Sequence, residues 1–304
     1  MGVAVSGLVI DVHQHLWPGE FVDALRARAD PPLVRGWTLY LAGESPFEVD
    51  PADHRPADRA ARETGGGAEV ALVSLSSPLG IEWLPPDEAG PLLDAWHRGA
   101  LALPEPFRAW AAANVLEPDA GQVRDALDAG CVGLQVPADA MRKPADVERI
   151  AALLAVCERR DRPVLVHPGP ATCPANGLPG WWPPVVDYVA QLQAAWWSWH
   201  VAGRALLPEL RICFAAGAGL APVQHERLVA RGGVFDRIDP YVFVDTSSYG
   251  PRGVDALVRV LGIDPLVFGS DRPYAEPAEP GLGEAASHAI RCSNPRRLLE
   301  GGLP

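Results

Sequence analysis

The residues best suited to chemistry stand at the ends of short apolar runs. The first is "LVIDVHQH", Leu8 to His15, which closes on two histidines. Alternate strand residues face the same way, so His13 and His15 project together, with Asp11 one step behind them. Two convergent imidazoles at a strand end form half of a divalent-metal site. His167 ends the run "PVLVH", and Asp271 follows "LVFGS" in the same manner. Three imidazoles and a carboxylate suit one mononuclear divalent ion, with zinc the first expectation. Such an ion lowers the pKa of its bound water from ~15.7 toward ~7, and Asp271 is the natural base to take the proton. A core histidine or a helix-capping aspartate would explain any one of these residues alone. Their recurrence at strand ends favours a site at His13, His15, His167 and Asp271.

Positioning them requires a particular fold. Apolar β-type runs occur at 8–12, 69–75, 107–115, 131–136, 163–166, 210–214, 241–244 and 265–268. Most lack polar alternation, as parallel strands covered on both faces should. Helical stretches follow at 118–129, 144–160, 223–231 and 253–261. Eight strand-then-helix units predict an α/β protein, a (β/α)8 TIM barrel, whose active site lies at the C-terminal strand ends. The ligand candidates then fall after strands one, five and eight. Two connections exceed a plain helix and predict loop-and-helix insertions after strands one and five, at 16–68 and 168–208. The second contains the tryptophan-rich segment from Trp181 to Trp199, read as core or subunit interface. His54, His97, His200 and His288 lie away from strand ends and read as core or surface residues. With no repeat or low-complexity linker, the chain reads as one domain over 1–304.

Composition excludes several classes. The net charge is −12, from 26 basic against 38 acidic residues, which argues against nucleic acid or an anionic membrane as partner. No apolar run approaches a membrane span, and no signal peptide is read at the start. Five widely spaced cysteines, Cys131, Cys157, Cys173, Cys213 and Cys292, read as reduced thiols in a cytoplasmic protein. Lys143 is the one lysine, hence the one candidate for any lysine chemistry.

"DVHQH", "VLVHPG", "RICFA", "VFVDTSS" and "FGSDRPY", in this order and spacing, resemble the amidohydrolase superfamily. They are most similar to its branch of aminocarboxymuconate semialdehyde decarboxylase and related metal-dependent decarboxylases and hydrolases. The resemblance runs from Leu8 to about Tyr274. It implies a TIM barrel, a metal on His13, His15, His167 and Asp271, a small-molecule substrate and a homodimer. Two departures stand out. Binuclear members carry a bridging lysine or glutamate at the end of strand four, where this chain has Gln135, so a single metal is implied. The branch carries a histidine after strand six that helps activate the metal-bound water. Here "FAAGAGLAP" places Ala216 at that point. The nearest histidine is His225, expected to point away from the metal unless the glycine-containing segment turns back. Arg227 falls where related decarboxylases carry an arginine that grips a substrate carboxylate in the neighbouring subunit's site. A bidentate guanidinium suits that task. Three readings follow: hydrolysis of a small amide or lactone, non-oxidative decarboxylation of an aromatic or muconate-type acid, and an inactive small-molecule-binding barrel. They are ranked here in that order.

Overall fold

A computed structural model of the chain describes residues 7–42, 44–171, 178–235 and 237–302. Cys173 lies outside them. The strands are β1 Ile10–Gln14, β2 Leu33–Arg35, β3 Thr38–Tyr40, β4 Phe47–Glu48, β5 Val70–Val73, β6 Phe107–Ala109, β7 Leu134–Pro137, β8 Val164–His167, β9 Ile212–Phe214, β10 Val242–Asp245 and β11 Leu266–Val267. The helices are α1 Gly19–Ala27, α2 Pro56–Gly65, α3 Pro86–Leu101, α4 Ala120–Ala129, α5 Pro144–Arg159, α6 Tyr188–Ser198, α7 Arg204–Leu206, α8 His225–Ala230, α9 Pro251–Leu261, α10 Glu284–His288 and α11 Asn294–Glu300.

Eight of these strands are mutually parallel and follow one another around a ring. β1, β5 and β6 pair in one group, and β7 through β11 in a second. Parallel bridges join the groups on both sides, Gln14 to Arg272 and Ala111 to Leu134. The Val12 N–H donates to Phe268 O at 2.9 Å, and the Gln135 N–H donates to Ala111 O at 2.7 Å. The expected barrel is therefore present, and its strands carry two cores. Ile10, Val12, Leu72, Trp110, Leu165, Cys213, Phe243 and Val267 meet inside the ring. Intervening residues such as Ala71, Val136, Val166, Phe214 and Val244 face the helices. Apolar residues on both faces are what a sheet covered on both sides demands.

Helix ends follow local chemistry. Asp119 caps α4 by accepting the Gly121 N–H at 2.7 Å. Pro144 opens α5, and the Lys143 N–H donates to Asp146 Oδ2 at 2.9 Å, so the one lysine starts a helix and is no bridging ligand. Among the described residues, Cys131, Cys157, Cys213 and Cys292 are buried and free.

The two insertions differ from the expectation in detail. After β1 the chain forms α1, a small antiparallel sheet of β2, β3 and β4, and α2, so the cap contains strands the sequence did not announce. The third barrel strand is also shorter than read, ending at Ala109 with a single bridge at Ala111. Within the second insertion Trp196 and Trp199 are fully buried, joining the core, while Trp181 is 57% exposed.

Candidate metal centre

The barrel brings the four sequence-read ligands together. One nitrogen or oxygen from each of His13, His15, His167 and Asp271 lies within 4.8 Å of every other. His13 Nε2 and His15 Nε2 are 3.2 Å apart, and Asp271 Oδ1 lies 3.2 Å from His15 Nε2 and 3.5 Å from His13 Nε2. The His167 ring centre stands 4.9 Å from both other rings. On β1 the strand register shifts between Asp11 and Gln14, which lets Val12 fill the barrel interior while His13 and His15 reach the mouth. Asp11 does not join them. It accepts the His13 N–H at 3.1 Å, the Ser270 N–H at 3.0 Å and the Gln14 side chain at 2.8 Å, tying β1 to the Asp271 segment.

Each imidazole is oriented through its other nitrogen. His13 Nδ1 lies 2.7 Å from Asp245 Oδ2, His15 Nδ1 lies 3.1 Å from Ser74 O, and His167 Nδ1 lies 2.8 Å from Pro168 O. Acceptors at all three positions place a proton on Nδ1 and turn each Nε2 inward. Burial lowers the pKa of His15 and His167, favouring the neutral, ligating form. Burial opposes charge on His13 most strongly, but the Asp245 carboxylate together with those of Asp271 and Asp11 outweighs it and raises the pKa to about 9. For Asp271 burial acts upward, and the His15 hydrogen bond with the neighbouring imidazoles brings the carboxyl down to about 2. The set fits a divalent cation. With its pKa near 9, His13 carries a proton on Nε2 that it can share with His15 across 3.2 Å, and a divalent cation fits in that proton's place, since tetrahedral zinc ligands at ~2.0–2.1 Å stand at about this spacing.

Asp271 has φ +58, the left-handed region rare for residues with a side chain. Its N–H donates to His13 O at 2.9 Å and its carbonyl accepts the Tyr274 N–H at 2.9 Å, which fixes the conformation. Strain of this kind costs of order 1–3 kcal/mol and gathers at functional sites.

Around Ala216 the backbone is unusual. Ala216, Gly217, Ala218, Gly219 and Leu220 all have φ between 45 and 58, one left-handed turn. The turn brings the Ala216 N–H to Asp245 Oδ1 at 2.8 Å, so this position supports the acceptor of His13 and offers no side-chain acid or base. His225 faces elsewhere: its Nε2 accepts the Trp196 indole N–H at 3.2 Å, and it packs among Trp197, His200 and Phe235. Arg227 is exposed on α8 and is not gathered at the cluster. Asp245 escaped the sequence reading, although "VFVD" ends strand seven as "LVIDVH" and "VLVH" end theirs.

No protein-family profile matches the sequence. No curated protein matches it either. Solved structures do. The apo form of IDCase from Metarhizium anisopliae superposes with a TM-score of 0.77 at 18% identity, covering 96% of each chain. The 5-carboxyvanillate decarboxylase of Novosphingobium aromaticivorans, an aspartate-to-asparagine mutant with bound manganese and 3-methoxy-4-hydroxy-5-nitrobenzoic acid, gives 0.74 at 18% identity over 99% of both chains. A structure described as an amidohydrolase II gives 0.72 at 20% identity, covering 96% of this chain and 99% of that one. At such identities the similarity establishes the fold. The chain has the α/β barrel of these decarboxylases and amidohydrolases, and the resemblance read from its five motifs is borne out at that level.

Proposed function

We propose that the chain is a metal-dependent enzyme of the amidohydrolase superfamily that releases carbon dioxide from a small aromatic or muconate-type acid. The observation that carries this reading is the convergence of His13, His15, His167 and Asp271 at the mouth of a barrel shared with decarboxylases. The decarboxylases among the solved structures move this reading ahead of hydrolysis, which the sequence alone ranked first. His13, His15, His167 and Asp271 would hold one divalent ion, zinc by the donor set, with manganese bound in the Novosphingobium enzyme. Such an ion supplies Lewis-acid polarisation of a substrate oxygen and acidifies water.

The chain's own groups supply the rest. Asp271 is ionised at neutral pH, with Oδ1 toward His13 and His15 and Oδ2 toward Ser248 Oγ at 3.5 Å. One oxygen can ligate while the other holds or moves a proton. With Ala216 in place of an acid–base residue, proton movement rests on Asp271. The same proposal takes 1–304 as one domain in a cytoplasmic homodimer, Arg227 from one copy gripping a substrate carboxylate in the other. For location, no helix among the described residues is long and apolar enough to cross a membrane.

Hydrolysis of an amide or lactone is the second reading, supported by the amidohydrolase II structure. The test is an assay of zinc- or manganese-loaded protein for carbon dioxide release from hydroxybenzoic and muconate-type acids, beside lactone and amide hydrolysis. Carbon dioxide release that disappears in Asp271→Asn supports the proposal. Hydrolysis without it moves the assignment to the second reading. Ligand binding without turnover would leave the inactive barrel, which four intact ligand positions argue against.

A further inference from the structure

We infer that Arg59 and Glu63, on the cap helix α2, are positioning residues for the metal ligands. The inference rests on the metal-site reading above and extends it from the ligands to the element that holds them. Arg59 is 2% exposed and Glu63 1%, an unusual depth for charged side chains in an insertion. The Arg59 guanidinium donates to Gln14 Oε1 at 2.8 Å and to His15 O at 3.0 Å. Gln14 is the residue between the two histidine ligands, and His15 is one of them. Glu63 accepts from Arg272 Nη1 at 2.7 Å, and Arg272 directly follows the ligand Asp271. Arg59 and Glu63 face each other at 3.7 Å within the same helix.

The connection continues behind the ligands. Gln14 donates to Asp11, and Asp11 accepts the backbone N–H groups of His13 and of Ser270, which directly precedes Asp271. One buried polar chain therefore runs from α2 to two of the three ligand-bearing segments, that of His13 and His15 and that of Asp271. It grips the backbone and the residues beside His13, His15 and Asp271 and leaves those side chains to face inward. Buried charges require partners in defined places, so an Arg–Glu–Arg group spanning cap and barrel fixes their relative position. Asp271, held at φ +58, depends on such external restraint.

The test compares Glu63→Gln with wild type by hydrogen exchange on metal-free protein and by titration with zinc or manganese. An exposed-pair variant at the N-cap of the same helix, Arg55→Gln, is the control. The expected result is at least tenfold faster exchange of the His15, Asp271 and Tyr274 amides, with Val164 and Ile212 unchanged, and at least tenfold weaker metal binding. Glu63→Asp, which keeps the charge, should recover part of both. If Glu63→Gln loosens the whole barrel, Arg272→Gln replaces it, since Arg272 is 18% exposed and its removal leaves Arg59 and Glu63 facing each other. Faster local exchange in a protein whose wild type binds no metal would retain the positioning role and sink the metal reading. Unchanged exchange and affinity in either variant, or loosening confined to no segment in both, would overturn the inference.

Discussion

At the scale of single residues, the ligands were legible because each terminates an apolar strand, and a polar group there has nowhere to point but the barrel mouth. Asp245 was less legible because its task is to hold His13 from the far side of the ring, 232 positions away in sequence. Asp11 was misread for a local reason: alternation places it with the histidines, whereas the register shift after it turns it toward Ser270. Two predictions belong here. Asp271→Asn should abolish turnover, with or without loss of metal, whereas His225→Ala should cost less than about tenfold, or 1.4 kcal/mol, because His225 is packed against Trp196. A hundredfold loss in His225→Ala with metal retained would reassign the proton carrier. The second concerns Glu82, fully buried and bound to Ser77 Oγ, whose pKa burial raises from 4.5 to about 7. The folded state then holds the proton more tightly than the unfolded one, so stability falls as pH rises from about 4.5 through about 7. The full effect is of order 3 kcal/mol. Urea midpoints at pH 5 and pH 8 should differ accordingly in wild type and much less in Glu82→Gln.

At the scale of elements, what sequence pattern reveals depends on length and punctuation. Near-continuous apolar strands announced the barrel, but β2, β3 and β4, of 3, 3 and 2 residues, are too short to show a period. Helix α3 was hidden by Gly90 and Pro91, which normally mark a turn. Here the helix survives because Ala89, Leu92, Leu93, Trp96 and Ala100 bury one face. The left-handed turn after β9 was legible only as a possibility, from its alternating glycines. Its stability contribution can be measured at Gly219, where φ is +58 and an added Cβ would lie 2.8 Å from Val189 O on α6. A left-handed conformation alone costs roughly 1–2 kcal/mol for a residue with a side chain. Collision with backbone that cannot rotate away adds roughly 1–3 kcal/mol. Gly219→Ala should therefore destabilise by roughly 2–5 kcal/mol in chemical denaturation. Gly232→Ala, at φ +85 with open space around it, should show only the smaller conformational cost. Equal losses at both positions would mean that contact with α6 contributes nothing.

At the scale of the whole molecule, the remaining question is what covers the strand-five insertion. The sequence offers a run of tryptophans without saying which are core. With Trp196 and Trp199 buried, the exposed large apolar residues of that insertion include Leu178 at 39%, Trp181 at 57% and Val185 at 58%, with Val201 and Leu206 farther along the chain. Trp181 and Val185 are four positions apart and share a helical turn, the Val185 N–H donating to Trp181 O at 3.3 Å. Val229, 53% exposed, and Arg227 stand on α8, which follows the left-handed turn that packs on α6. A face of large apolar side chains on a chain of net charge −12 is an expected self-association surface, since apolar contact is what overcomes repulsion between like-charged copies. Sedimentation at micromolar concentration should give twice the 32.4 kDa chain mass. The double variant Trp181→Arg with Val185→Glu should sediment as a monomer with an unchanged melting temperature, because neither side chain belongs to the core. If Arg227 reaches a second copy's site, the same double variant should also raise KM for a carboxylate substrate while leaving bound metal intact. A wild-type monomer would remove both the interface and the role assigned to Arg227, which is exposed on α8 and is not among the residues gathered at the metal cluster of its own chain.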